Sequence, residues 1–268
     1  MTESVSVDAK QARKGRAGSS LETSAGKALA LLGALGGPRP VMGVSELAKV
    51  VSVPKSTAHR LLVVLTKSGY VRRAGDKYAL STRAFELGNQ VAVARVDGLR
   101  DRAIPVLSEL YAQTREAVHL GVPEGSSVLY VEKLFGPDSV RVDTAVGMRR
   151  PLYATALGKA ILAFSELGPG GGVPARFYRF TAFTIRTPDL LGRVVERVRQ
   201  DGYATDFEEA FLGVSCIAVP VCDRRTGRPV AALSLATGAG GRAVLRYKSV
   251  MLKAAEQLSG HVSTMMVA

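Results

Sequence analysis

The sequence predicts an α/β (α+β) protein in two parts: a small set of helices closed by a β-hairpin, then a larger domain in which a sheet is flanked by helices. Three observations predict it. Amphipathic stretches crowd residues 28–65 and lead straight into a short basic hairpin, strand and helix patterns alternate from 117 to 263, and positive charge is concentrated at the N-terminal end. At 268 residues, 47% apolar and 22% charged, the chain has the length for two ordinary domains and the composition to bury their cores.

Residues 1–20 are polar and rich in Ser, Gly, Lys and Arg, too poor in apolar surface to offset chain entropy, so a disordered basic arm is expected there. Ala28, Leu31, Leu32 and Leu35 keep the spacing of a half-buried helix that Gly36-Gly37-Pro38 stops. A second helix starts near Ser45, with Val44, Leu47, Ala48 and Val51 on one face. A third begins at Pro54, a residue suited to a first helical turn, and points Ala58, Leu61, Leu62 and Leu65 inward before Gly69. Two helices across a tight turn, the second longer and basic, make a helix-turn-helix. Residues 70–80 read as a hairpin about Gly75-Asp76, which is the wing and completes a winged helix-turn-helix at 21–81.

Residues 82–97 (Ala84, Leu87, Val91, Ala94) continue a helical pattern and are expected to form a linker helix. A further helix runs to about residue 116, started or kinked at Pro105. The rest of 98–268 alternates: strands at 117–122, 127–133 and 139–143, helices at 155–164 and 189–200, and strands at 216–221 and 229–236 joined across 223–228. A final helix is expected over 243–263, along Val244, Tyr247, Met251, Ala254 and Leu258. The four glycines and two prolines of 168–174 predict a flexible loop.

The formal charge is +13, with a pI of about 10.0. Residues 1–80 contribute +8 of it (13 Lys/Arg less five Asp/Glu) and 81–268 the other +5 (23 less 18), an excess that asks for a polyanionic partner. With its apolar residues inward, the third helix presents Ser56, Arg60 and Lys67 outward, flanked by Lys55, Thr57 and His59. Arg60 suits a bidentate contact to guanine, Ser56 and Thr57 can bond bases or phosphates, and Lys55 and Lys67 neutralise backbone charge. Arg72, Arg73 and Lys77 extend the basic surface onto the hairpin, so that 54–83 holds seven Lys/Arg against Asp76 alone. One charged helix face is ordinarily just solvated. The ordered run of turn, helix and basic hairpin points instead to double-stranded DNA, which the basic arm either contacts or leaves untouched as a mere start-site extension. A general nucleic-acid protein acting through charge alone is the alternative, and a sequence-specific footprint that survives physiological salt separates the two.

In the larger domain Thr155 is suited to cap a helix starting near Ala156, leaving backbone N–H groups aimed at whatever lies in front. Such an end favours an anion, although an ordinary cap without a ligand fits these residues equally well.

Three blocks resemble the IclR family of bacterial regulators. Pro-Lys-Ser-Thr-Ala-His-Arg-Leu-Leu at 54–62, with Ser-Gly-Tyr-Val at 68–71, looks like its recognition helix and wing entry. Pro-Leu-Tyr-Ala-Thr-Ala-Leu-Gly-Lys-Ala at 151–160 resembles its effector-domain signature. Gly-Tyr-Ala-Thr-Asp-Phe-Glu-Glu at 202–209 leads through Gly-Val-Ser-Cys-Ile-Ala-Val-Pro-Val at 213–221 into Ala-Ala-Leu-Ser at 231–234. The blocks stand in family order over about 25–262. The resemblance implies a transcriptional regulator, repressor or activator, with a profilin- or GAF-like effector-binding and oligomerisation domain of curved sheet at 98–268. It implies operator binding as a homodimer or homotetramer (dimer of dimers), modulated by a small-molecule effector. It also implies an effector pocket at Val142, Ala156, Leu157, Asp206, Val214, Cys216 and Ser234, beside Thr155, with a carboxylate metabolite suiting the helix end. Asp206 would accept from a ligand hydroxyl, Ser234 and Cys216 would donate, and Val142, Leu157 and Val214 would wall the cavity. Ala236 stands where some members place a second pocket serine, so effector identity does not carry over.

Other classes have little support. No apolar run approaches the about 18 residues a bilayer requires and the N-terminus lacks a signal-peptide core, so a cytoplasmic protein without a membrane partner is expected. Cys216 and Cys222 read as strand neighbours or free thiols. His59, His119 and His261 make no metal pattern and read as structural or surface residues, and no cofactor is expected. Cys216 as nucleophile, with Asp206, Glu208 and Glu209 as acid/base groups, would make an enzyme, but no histidine lies nearby in sequence and no phosphate loop accompanies them. Glu208 and Glu209 read as surface or salt-bridged carboxylates, and catalysis is not expected.

Overall fold

The computed structural model describes residues 23–37, 39–94, 97–165, 174, 176–238 and 240–263, and the chain divides into two compact units, 1–91 and 92–268. The expected basic arm at 1–20 and, apart from Pro174, the glycine-rich loop lie outside the described residues.

The first unit contains α1 (Ser24–Leu35), β1 (Val41–Gly43), α2 (Val44–Val51), α3 (Lys55–Lys67), β2 (Val71–Ala74), β3 (Lys77–Leu80) and α4 (Thr82–Gly88). The apolar stripes of the three helices meet in one core around Leu31, Leu35, Leu47, Ala58 and Leu62, closed by Val71 and Tyr78 of the wing. Thr23 caps α1, its Oγ1 accepting from Gly26 N at 3.0 Å, and Glu46 reaches back to Gly43 N at 2.8 Å to fix the start of α2. Ser52, in the left-handed region at φ 58, makes the turn into α3. Pro54 occupies the cap position of α3, so the helix begins one residue after the expected start. The wing has a two-residue loop with Gly75 at φ 65, as a primed hairpin turn requires. It is three-stranded in the order β1-β3-β2, β1 being too short to show an alternation in sequence.

The helix expected over 82–97 is shorter, ending at Gly88. Leu87 and Val91 of its supposed apolar stripe are 60% and 52% exposed, and Gly88-Asn89 is a poor continuation for a helix that lacks such packing.

The second unit is a six-stranded antiparallel sheet in the order β6-β5-β4-β9-β8-β7, from β4 (Ala117–Glu124), β5 (Ser127–Leu134), β6 (Arg149–Pro151), β7 (Ala204–Phe207), β8 (Val214–Cys222) and β9 (Pro229–Gly238). Helices α5 (Leu99–Thr114) and α8 (Lys248–Ser263) cover one face, packing on Val118, Leu120, Ile217, Val219, Leu233 and Leu235. Helix α6 (Ala156–Phe164) covers the other, backed by α7 (Pro188–Asp201). The helix expected from 243 opens as a 3-10 turn over Gly241–Tyr247 before α8.

No strand forms at 139–143. That segment is held by side chains instead of a ladder: Lys133 Nζ donates to the carbonyls of Val142 (2.9 Å) and Thr144 (2.8 Å), and Ser139 Oγ donates to Arg115 O (2.8 Å). The partner on that edge of β5 is β6.

Two glycines let α6 lie close on its supports. A Cβ on Gly121 of β4 would stand 2.5 Å from Val128 Cγ2, and one on Gly158 of α6 would stand 2.1 Å from the backbone oxygen of Leu152. The Leu152 clash is with backbone and cannot be relieved by a rotamer change. Gly158→Ala should therefore lower unfolding stability by about 3 kcal/mol, measured by urea denaturation; a loss within error of zero would contradict the close packing described.

Candidate nucleic-acid interface and ligand cavity

The residues expected to meet DNA lie on α3 and the wing of the first unit. Lys55, Ser56, His59, Arg60 and Lys67 on α3 and Arg72, Arg73 and Lys77 on the wing are exposed, and Thr57 is half-buried. The buried stripe Ala58, Leu61, Leu62 and Leu65 makes this so, because it pins the opposite helical face outward. Arg73 lies over the Tyr78 ring, 5.3 Å from its centroid, which steadies a wing arginine without neutralising it. The open groove of about 460 Å³ beside α3, lined by Lys49, Ser52 and Lys55 among others, is a surface trough of the helix-turn-helix.

The cavity of the second unit is built on cross-strand rows of the α6 face. One row runs Asp206–Cys216–Ala236–Ala117 across β7, β8, β9 and β4, and the next runs Ala204–Ala218–Ser234–His119–Lys133. Small residues under α6 admit the helix, and the polar members collect where it begins. A register shift between Leu120 and Gly121 matters here, since it places Glu132 beside Arg100 of α5 (2.7 Å) and returns Lys133 to the cavity row.

Thr155 is the N-cap of α6, its Oγ1 accepting from Gly158 N at 3.0 Å. Seven of the eight residues singled out for the pocket line one cavity: Val142, Thr155, Ala156, Leu157, Asp206, Cys216 and Ser234. Val214 does not; it backs the wall in an apolar cluster with Ala117, Val142 and Ala236. The sequence reading missed His119, Tyr130, Thr144, Ala210 and Phe211, which complete the lining. Alternation along β4 places His119 on the same face as Ala117, but its meeting with Ser234 depends on strand register, which sequence does not display. The free volume is about 20 Å³, room for roughly one water, so a metabolite enters only as the walls shift.

Burial governs the electrostatics. His119 Nε2 lies 2.9 Å from Thr144 Oγ1, and burial, with the Lys133 charge second, lowers its pKa to about 3, so it stays neutral. Cys216 remains a thiol because burial, then the Asp206 carboxylate, raises its pKa well above the ordinary range. Lys159 of α6, 1% exposed, is paired with Glu209. Thr181 and Thr184 hold the turn that carries Glu209, their hydroxyls donating to Glu208 O (2.6 Å) and Glu209 O (2.7 Å). Asp206 Oδ1 accepts from Glu209 N at 2.7 Å. Burial raises the Asp206 pKa to about 7; Lys159 opposes the shift, Glu209 adds to it, and the backbone bonds from Glu209 and Ala210 also oppose it. The arrangement can bind a small polar molecule, with donors at the α6 start and at Ser234 and an acid that changes charge near neutrality. Among the described residues no group of His, Cys, Asp and Glu is placed to hold a metal, and no helix is long and apolar enough to cross a membrane.

Comparison with known proteins bears on both surfaces. Residues 24–75 match the IclR helix-turn-helix domain, and residues 91–262 match the bacterial transcriptional regulator IclR C-terminal domain. The chain is 38% identical over 213 residues to the HTH-type transcriptional regulator KdgR of Dickeya chrysanthemi, covering 78% of this chain and 68% of that protein. It is 35% identical over 215 residues to the glycerol operon regulatory protein of Streptomyces coelicolor, covering 80% and 83%. Among solved structures, Thermotoga maritima IclR superposes with a TM-score of 0.71 at 31% identity, over 88% of this chain and 97% of that one. An IclR homologue from Microbacterium hydrocarbonoxydans, complexed with 4-hydroxybenzoate, superposes with a TM-score of 0.80 at 24% identity, over 90% and 100%.

The raised acid gives a prediction with a definite sign. Between its ordinary value of 3.8 and about 7, Asp206 holds a proton in the folded chain that the unfolded chain releases. Stability from this source is full below the lower value and is lost as pH rises through the upper one. Asp206→Asn, neutral throughout, should gain in Tm on the wild type as pH is raised across that window. A Tm difference independent of pH would contradict the assignment.

Proposed function

The chain belongs to the IclR family of bacterial transcriptional regulators, and from that premise we propose that it binds a specific operator through α3 and the wing and changes its operator affinity when a small carboxylate metabolite occupies the cavity of the second unit. The observation that carries this reading is the convergence of the α6 N-terminus, Asp206, Cys216 and Ser234 on one buried cavity, in a chain whose other unit exposes a basic recognition helix. The carboxylate faces the α6 start, where backbone N–H groups and the helix dipole favour an anion, and a hydroxyl or carbonyl lies toward Asp206 and Ser234. The ligand of the Microbacterium homologue, 4-hydroxybenzoate, combines the same two groups.

The protein acts by binding, without turnover, since the Cys216 thiol is held protonated and His119 neutral in the one cavity that gathers them. It works in the cytoplasm as a homodimer or dimer of dimers. Exposed Phe85 (67%) and Leu87 (60%) on α4 support association with a second copy. Within this reading the working division is 21–81 for DNA, 82–97 as connector and 98–268 for effector and oligomer contacts.

Operator titrations test the two halves separately. Arg60→Ala should abolish discrimination between operator and random DNA, removing about 1–3 kcal/mol of base readout without opening a cavity, whereas Lys67→Ala should weaken binding to all sequences alike and flatten the salt dependence. Unchanged specificity in Arg60→Ala would overturn the assignment of α3. Asp206→Ala should keep operator binding and lose the response to ligand; a wild-type response would remove Asp206 from the effector site.

A further inference from the structure

Arg150 stands beside the cavity with a donor that nothing satisfies. It pairs with Val128 across β5 and β6, which puts its side chain on the same sheet face as Val128 and Tyr130, and Tyr130 lines the cavity. The guanidinium lies 4.6 Å from the centroid of Phe211, another lining residue, and 5.8 Å from that of Phe180. Both rings lie within cation–π range of the guanidinium, whose N–H groups donate in its own plane. Its Nε is buried and has no hydrogen-bond partner among the described residues. Burial lowers the Arg150 pKa from its ordinary value, opposed only by Tyr130 and Asp143, and Asp143 is exposed. A buried N–H of a guanidinium left unmade is costly, and a carboxylate is the partner whose geometry suits it.

We infer that Arg150 is a specificity-determining residue of the cavity, donating from its edge to a second acidic group of the effector, so that the site prefers dicarboxylates to monocarboxylates of the same length. The inference rests on the cavity being the effector site. One carboxylate meets the α6 N-terminus and the other reaches the Phe211 end, where Arg150 waits. The neighbouring Arg149 does not compete, because it points to the opposite face and pairs with Glu124 through two hydrogen bonds of 2.8 and 3.0 Å.

The test uses full-length protein and matched hydroxy probes, each with a hydroxyl for Asp206: malate against 3-hydroxybutyrate, 2-hydroxyglutarate against 2-hydroxyvalerate, 2-hydroxyadipate against 2-hydroxyhexanoate. Thermal shift and calorimetry are run on wild type, Arg150→Leu, Arg150→Lys and Asp206→Ala. At least one dicarboxylate should bind wild type about tenfold or more tighter than its monocarboxylate partner. Arg150→Leu should erase that preference while leaving monocarboxylate binding within about twofold, and Arg150→Lys, which keeps the charge without the Nε donor, should fall between. Equal affinities within every pair, an equal loss of both classes in Arg150→Leu, or no shift from any dicarboxylate would overturn the inference. The cavity reading is judged separately. Binding that disappears in Asp206→Ala upholds it even if Arg150 proves indifferent, whereas binding that survives Asp206→Ala places the probes elsewhere and overturns both. The melting temperatures of the unliganded Arg150 variants, and the partial rescue by lysine, separate lost recognition from lost folding.

Discussion

Helix α6 is buried along almost its whole length, from Ala156 to Ala163, and the arrangement of the second unit follows from that constraint. A helix surrounded by protein must have small residues beneath it, and Gly121, Ala204, Ala218 and Ala232 supply them. Its first turn must be satisfied internally, and Thr155 does so while leaving the N-terminal end facing the cavity. Its single lysine must find an acid, and Glu209 provides it from a turn held by Thr181 and Thr184. That turn also carries Ala210 and Phe211 into the cavity wall and gives a backbone donor to Asp206. Support of the helix and construction of the site are thus one set of contacts, and a ligand that shifts the walls acts directly on the sheet's packing.

Much of this was legible in the sequence wherever a segment has one buried face. The stripes of α1, α2 and α3 are regular, and the structure places each where its spacing indicated, although α1 begins at Ser24, four residues before the first apolar position read in it. The same logic failed at 82–97, where an apolar spacing exists but Leu87 and Val91 stay exposed in the single chain and the helix ends at Gly88. It failed again at 139–143, where Val140 and Val142 alternate as in a strand but the backbone is tied by Lys133 and Ser139 instead of a ladder. Local pattern reports a preference for burial; whether a partner exists is decided elsewhere in the chain.

The cavity shows the same limit. Family likeness carried six of the cavity positions and helix capping a seventh, Thr155, and all of these but Val142 sit within a block whose sequence is distinctive. His119 and Tyr130 come from segments with no such mark and arrive through strand register and the bulge at Gly121, and Phe211, between two parts of the third block, arrives through the turn after Glu208. Arg150 was invisible for a related reason. As one of two consecutive arginines it reads as surface charge, and only the pairing of β6 with β5 sends it inward while Arg149 stays in solvent contact.

The central claim is that the cavity and the recognition helix are thermodynamically linked, and such linkage is reciprocal. Calorimetric titration of a cavity ligand into the full-length protein, with and without saturating operator DNA, measures it most directly. If the ligand changes operator affinity by some factor, operator DNA must change ligand affinity by the same factor in the same direction, about tenfold for a coupling of ordinary size. A ligand affinity identical in the presence and absence of operator would contradict the account.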